Sequence, residues 1–146
     1  IWTLLPSDAP RVAGVVAPGL ERALAVLLLC CPGVAAIASG DELGLLDGPP
    51  RRPAAFEGGR RSSEPERVPM AWDERAGGGF APWPWRPLAA PTAPPVSRQR
   101  RDADSLLSLY RRGIALRRSA SALAGGSAVP VAVDGGTLAV LREDRF

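Results

Sequence analysis

A chain of 146 residues is long enough for one modest domain with its own core, and far short of the roughly 250 residues of a complete (β/α)₈ barrel. All 18 of its cationic residues are arginine, set against 15 acids for a formal charge of +3, and it has neither histidine nor asparagine. Because the arginines are scattered among the acids, the basic balance reads as a solvated surface, with no nucleic-acid and no membrane partner; the lack of histidine excludes most Cys/His metal sites and the Ser-His-Asp nucleophile scheme.

Glycine and proline contribute 16 residues each, just under the share at which composition alone argues disorder, and 46% of the chain is hydrophobic, so a packed core is expected. Cys30 and Cys31 are adjacent, a poor geometry for a structural bridge. They read as buried thiols in a reducing compartment, which implies a cytoplasmic protein. The apolar run Ala23 to Cys31 is cut by Pro32-Gly33, well short of the ~20 residues that span a bilayer. Ile1-Trp2-Thr3-Leu4-Leu5 already reads as the middle of a buried strand, so further chain is expected upstream.

In chain order, the strand over Ile1 to Leu5 gives way to a tight loop at Pro6-Ser7-Asp8-Ala9-Pro10. Pro18 then starts a helix whose residues Leu20, Ala23, Leu24, Leu27, Leu28 and Cys31 recur at helical spacing and predict one broad apolar face. Val34 to Ala38, bounded by Pro-Gly and Ser-Gly, reads as a strand buried on both faces. Strand, helix, strand makes one βαβ crossover, the unit of a parallel sheet.

From Leu43 to Arg101 neither period is sustained, although Trp72, Trp83 and Trp85 favour a folded excursion over plain disorder. Asp102-Ala103-Asp104-Ser105 offers caps for a second helix, with Leu106, Leu107, Tyr110, Ile114 and Leu116 as its buried side. Gly125-Gly126 breaks it. Val129 to Val133, Asp134-Gly135-Gly136 and Thr137 to Leu141 read as a hairpin. The organisation expected is therefore residues 1–120 as one α/β unit containing a long loop at about 43–101, and residues 121–146 as the start of an all-β domain.

Three places carry candidate chemistry. Asp8 follows a strand-like run, the end of a parallel barrel strand where catalytic groups project; it could stabilise positive charge at a sugar carbon, with Arg11 nearby keeping it ionised. The same residue also fits an Asx-type turn before Pro10. Asp41 and Glu42 follow the second strand, but adjacent residues point apart and do not make a facing acid/base pair; a turn bonded to backbone serves equally. Arg67 to Asp73 packs a guanidinium, an aromatic ring and a carboxylate into one loop, a set suited to sugars, while Trp72 also fits a buried loop anchor. No metal or organic cofactor is called for.

Taken in order, these segments resemble the α-amylase family, glycoside hydrolase family 13. Trp2 to Arg11 is similar to its W-x-L-S-N-H-D-x-P-R region at the end of the seventh barrel strand, and Ala23 to Val34 resembles its A-L-x-L-L-L-x-L-P-G-T/V helix-to-strand segment. Gly40 to Gly44 matches G-D/E-E-L-G. Arg67 to Asp73 resembles the R-T-P-M-Q-W-D of oligo-1,6-glucosidases, α-glucosidases and trehalose synthases, and Asp104 to Arg118 looks like the last barrel helix.

The resemblance implies the C-terminal part of a (β/α)₈ TIM barrel followed by the start of a β-sandwich domain, in a retaining enzyme acting on α-glucosides or maltooligosaccharides. It implies Asp8 as transition-state stabiliser and Arg11, Asp41 and Arg67 as substrate-side residues. The nucleophilic Asp and acid Glu of the family belong to strands upstream of Ile1, so the chain by itself is expected to be inactive and to self-associate through exposed barrel surface. Two departures stand out: the family's Asn-His before the Asp is Pro6-Ser7, and its usual Tyr before Gly40 is Ser39. These open an alternative, a degenerate relative kept as a binding or scaffold module.

Overall fold

The structure, a computed structural model, describes residues 1–6, 9–49, 65–89, 93–132 and 138–143. The first extended segment meets the chain again after one helix. The amide of Trp2 donates to the Val34 carbonyl at 2.7 Å and the amide of Ala36 donates to the Trp2 carbonyl at 2.8 Å. Trp2 and Ala35 thereby form a parallel bridge, and the expected βαβ crossover is present with its sheet reduced to that one bridge.

One expectation is corrected here. Val34, Ala36 and Ala38 are exposed, whereas Ala35 and Ile37 are half-buried, and Ile37 packs on the cluster Ala25, Leu29, Leu106 and Tyr110. A strand sends alternate side chains to opposite faces. Helices cover only one of those faces among the described residues, so the segment is half-buried rather than buried on both sides.

A four-residue helix, α1 (Val12–Val15), which is too short to show a period, precedes α2 (Leu20–Cys30). The second helix starts at Gly19, held at φ 90°, where a residue with a Cβ would be strained. It ends at Pro32 and Gly33 as expected. Its buried residues are Ala25, Leu28 and Leu29, with Ala23 and Leu27 exposed, so the face differs from that expected. A helix apolar nearly all round does not reveal by period which side meets a partner.

The partner is α4 (Leu106–Ser119), reached after the short α3 (Val96–Gln99). Ser105 caps α4, its Oγ accepting from the Ser108 amide at 3.1 Å. Leu106 and Tyr110 are buried, while Ile114 and Leu116 are exposed; Gly113 and Arg117 take the inner positions instead. The Gly113 backbone lies so close to Leu29 that an added Cβ would stand 2.5 Å from Leu29 Cδ1. Arg22 near the start of α2 donates to the Asp104 carbonyl just ahead of α4 at 2.8 Å. Arg117 near the end of α4 donates to the carbonyls of Leu29, at 2.5 Å, Cys31, at 2.7 Å, and Gly33. Start meets start and end meets end, so the two helices run parallel, as successive helices of a βαβα layer must.

Between these helices the described residues carry only short elements. A 3₁₀ turn spans Asp41–Leu43 and a second spans Ala76–Gly79. The carbonyls of Ala71 and Trp72 accept from the amides of Val96 and Ser97, both at 2.9 Å, satisfying the open N-terminus of α3. Gln99, 3% exposed, joins three segments: its Nε2 donates to Leu43 O and Pro94 O, each at 2.9 Å, and its Oε1 accepts from the Leu107 amide at 3.2 Å. The amide of Gly48 donates to the Pro65 carbonyl at 2.8 Å.

After α5 (Ser121–Ala124), strands β1 (Ser127–Ala132) and β2 (Leu138–Glu143) pair antiparallel from Ser127 opposite Glu143 to Ala132 opposite Leu138. The hairpin is as expected, each strand beginning and ending within two residues of its predicted place. Its turn, Asp134 to Gly136, lies outside the described residues. Arg142 ties the hairpin to α5, donating to Ala122 O at 2.9 Å. Among the described residues no helix is long and apolar enough to cross a membrane.

Candidate functional site

A pocket of 430 Å³ opens where the first segment ends and the second begins its turn. Leu5, Pro6, Ala9 and Pro10 form one side, Ala38, Ser39 and Asp41 another, and Glu66, Arg67 and Val68 the third. Arg11, Asp41 and Arg67 are thus brought to one cavity from three separate stretches of sequence. Asp8 lies outside the described residues; its neighbours in sequence, Pro6 and Ala9, line the pocket.

Arg11 holds these stretches together. Its side chain is 9% exposed. Nη1 donates to Ser39 O and Nη2 to Glu66 O, the latter at 2.6 Å. Nε makes no hydrogen bond and stands 3.9 Å from Asp47 Oδ1, while both Asp47 carboxylate oxygens accept from the Arg11 amide at 3.3 Å. The planar fork of arginine is what lets one side chain reach two carbonyls on different segments. Gly40, at φ 101°, leaves the guanidinium its room, because a Cβ there would occupy the same space. Arg11 is therefore built into the wall of the pocket.

Asp41 is 8% exposed, and its Oδ1 accepts from the Val12 amide at 3.4 Å. Burial pushes its carboxyl above the ordinary carboxylate range. The Val12 amide and the Arg11 charge pull back against that, and the charges of Glu42 and Asp47 add to the rise. Glu42 turns the other way, its Oε2 accepting from the Gly40 amide at 2.7 Å. Both acids are bonded to backbone, as adjacent residues on a turn should be. Behind them, Tyr110 is 2% exposed; burial first, and then the charges of Asp41 and Glu42, push its phenol up to about 12.

Arg67 is exposed at the rim. Its carbonyl accepts from Nη1 of Arg86 at 3.0 Å; Arg86 is itself 6% exposed. Beyond Arg67 a smaller pocket of 300 Å³ adjoins the first, sharing Arg11, Ser39, Arg67 and Val68 and adding Pro69, Met70, Phe80 and Trp85. The rest of the Arg67 to Asp73 loop leads elsewhere. Trp72, 47% exposed, faces a cavity with Glu42, Arg100 and Arg111, so it is not the buried anchor the sequence also allowed. Asp73 pairs with Arg75 at 2.6 Å, which holds its carboxyl below the ordinary range.

Sequence reasoning passed over Asp47, Arg86 and Gln99. Asp47 carries a faint signal, an acid between an apolar pair and Gly-Pro; Gln99, the sole glutamine of the chain, sits among arginines and carries none. Among the described residues no group of three or more acids, cysteines or histidines is placed to hold a metal ion.

The parallel βαβ start, the two parallel helices on one side of it and a polar pocket at the turns make up a small α/β piece. Residues 2–126 match the family model described as the α-amylase catalytic domain, and the chain belongs to the α-amylase family. It is similar to maltase 1 of Drosophila virilis, 30% identical over an alignment of 91 residues that covers 55% of this chain and 14% of the relative. A probable α-glucosidase of Rhizobium meliloti is 38% identical over 78 residues, 52% of this chain and 14% of that protein. Among solved structures, the trehalulose synthase MutB from Pseudomonas mesoacidophila MX-45 superposes with a TM-score of 0.78 at 25% identity, covering 98% of this chain and 32% of its own. A variant of MutB solved with sucrose gives 0.77 at 25% identity over the same shares. The chain thus spans 14% of the length of these curated relatives and 32% of the structural ones.

Proposed function

We propose that this chain supplies the last strands and helices of a (β/α)₈ barrel in a retaining glycosidase that acts on α-glucosides, with the pocket of Arg11, Asp41 and Arg67 as its substrate side. The observation that carries the reading is the convergence of those three residues on one cavity that Pro6 and Ala9 also line, the positions on either side of Ser7-Asp8. In this reading Asp8 binds the non-reducing sugar and stabilises the oxocarbenium-like transition state. Arg11 holds the Asp8 segment against the turn after the second strand, and Arg67 shapes the entrance. The nucleophile and the acid, about 5–5.5 Å apart in a retaining site, come from barrel strands that precede Ile1. Maltase and α-glucosidase relatives, and a MutB variant solved with sucrose, support α-glucosides as the substrate class.

In this reading residues 1–120 belong to the barrel and 121–146 open the β domain; the family match ends six residues past that division, at residue 126, and β1 begins at Ser127. Cys30 and Cys31, both free thiols, support a reducing, cytoplasmic setting. The exposed faces of Ile1, Trp2 and Val34 support self-association of the isolated chain, which sizing would reveal; a cooperatively unfolding monomer would count against it.

The test is turnover of 4-nitrophenyl α-D-glucoside by this chain, side by side with a form extended upstream through the earlier strands. Activity only in the longer form, abolished by Asp8→Ala, is the expected result. Pro6-Ser7 in place of the family's Asn-His supports a second reading, a degenerate binding or scaffold relative; inactivity of both forms with retained saccharide binding would favour it.

A further inference from the structure

We infer that the cavity faced by Trp72, Arg100 and Arg111 is a binding site for a phosphate ester carried on a flat ring, the chemistry of a nucleoside monophosphate. This cavity shares no lining residue with the pocket of Arg11, Asp41 and Arg67, and the inference stands apart from the function proposed for that pocket.

Sequence spacing brings the charges together. Val96 and Arg100 are four residues apart, as are Leu107 and Arg111, and residues at that spacing share one face of a helix. The α3 turn and α4 therefore each present an apolar side chain and an arginine to the same space of 510 Å³, well inside the range of about 300–1,000 Å³ typical of small-molecule sites. The 3₁₀ turn Asp41–Leu43 closes it from the third side: Asp41 lines the other pocket, while Glu42 and Leu43 line this one.

The two arginines are uncommitted. Arg11, Arg22, Arg112 and Arg117 are each tied to backbone carbonyls, whereas the guanidinium groups of Arg100 and Arg111, both exposed, make no hydrogen bond or ion pair with the described residues. Glu42, the carboxylate in the wall, accepts from the Gly40 amide at 2.7 Å instead. Two cations facing one space repel each other. An oxoanion relieves that repulsion, and each planar fork can give a phosphate two parallel hydrogen bonds.

Trp72 supplies the other half of the site. It is 47% exposed, yet its backbone is fixed on both sides: its amide donates to the Gly78 carbonyl at 2.7 Å and its carbonyl accepts from the Ser97 amide at 2.9 Å. A half-exposed indole on a pinned backbone is a stacking surface that costs little to order. Inorganic phosphate would leave that surface uncovered, and an uncharged ring would leave the arginines unpaired. One ligand carrying both groups uses the whole cavity, and the negative charge of Glu42 favours a single phosphate over a di- or triphosphate.

The experiment is calorimetric titration of the full chain with AMP, adenosine and inorganic phosphate, with the Trp72 indole followed by NMR. AMP is expected to bind at least about tenfold more tightly than either of its parts, since a charged hydrogen bond and a stacked base are each worth about that factor. Arg100→Ala and Arg111→Ala should each weaken AMP about tenfold. Trp72→Ala should bring AMP down to the affinity of inorganic phosphate, and Trp72→Phe should keep most of the difference. Arg98→Ala, an exposed arginine of the same short helix that lines other cavities, should change nothing. AMP binding no tighter than inorganic phosphate overturns the ring half of the site, and adenosine binding as tightly as AMP overturns the phosphate half. An equal loss in Arg98→Ala overturns the site in favour of diffuse surface charge, and absence of AMP binding to a chain whose Trp72 signal is that of the folded protein overturns it outright.

Discussion

Arg117 Nη1 donates to the carbonyl of Leu29 at 2.5 Å, and the same guanidinium reaches Cys31 O and Gly33 O. The last carbonyls of a helix have no partner within it and carry the negative end of its dipole. A cation from the neighbouring helix supplies both the hydrogen bonds and the charge, and it does so only if the two helices run parallel. Arg117→Ala should therefore lower the unfolding free energy by about 2 kcal/mol, read by urea denaturation. Arg117→Lys should recover less than half, since an ammonium cannot span three carbonyls as the fork does.

The same helix pair sets a steric limit at Gly113. With Leu29 Cδ1 2.5 Å from where a Cβ would stand, Gly113→Val should cost about 2 kcal/mol by overpacking, seen as a lowered thermal midpoint. Shortening the opposing side chain should relieve part of it, so Gly113→Val with Leu29→Ala should be less destabilised than the two single changes add to.

Tyr110 makes the fold sensitive to alkali. Its folded phenol titrates near 12 against an ordinary value of 10.0. A group raised in the folded state contributes fully below its unfolded value and loses that contribution as pH rises through the folded one. Stability should thus fall by about 1.4 kcal/mol per pH unit between roughly 10 and 12, and Tyr110→Phe should remove that slope. Denaturant midpoints across the alkaline range would show it.

Asp41 should act in the same sense at the acid end. Its carboxyl is raised, chiefly by burial, so its ionisation at neutral pH works against the fold, and that cost disappears as pH falls through its folded value towards 3.8. Asp41→Asn keeps an oxygen for the Val12 amide and removes the charge. It should equal or exceed the parent in stability at pH about 7, with the difference closing as the pH is lowered.

The elements most legible in the sequence were those set by local chemistry. Pro32-Gly33 stopping α2, Ser105 capping α4 and the β1–β2 hairpin follow from residue types read over a few positions. The faces of the helices did not. α2 is apolar on nearly every side, and only the position of α4 selects Ala25, Leu28 and Leu29; α4 in turn gives its inner line to Gly113 and Arg117, which no hydrophobic pattern marks. In the site, Arg11, Asp41 and Arg67 were recognisable from their motifs and do line one pocket. Gln99 and Arg86 were not, because their importance lies in carbonyls supplied by segments distant in sequence.

The hydrogen bond from Gly48 to Pro65 sits between two groups that Arg11 also holds, the Asp47 carboxylate through its amide and the Glu66 carbonyl through Nη2. Backbone bond and guanidinium together make a seam of two stitches, and cutting the arginine stitch leaves the other to carry the seam alone.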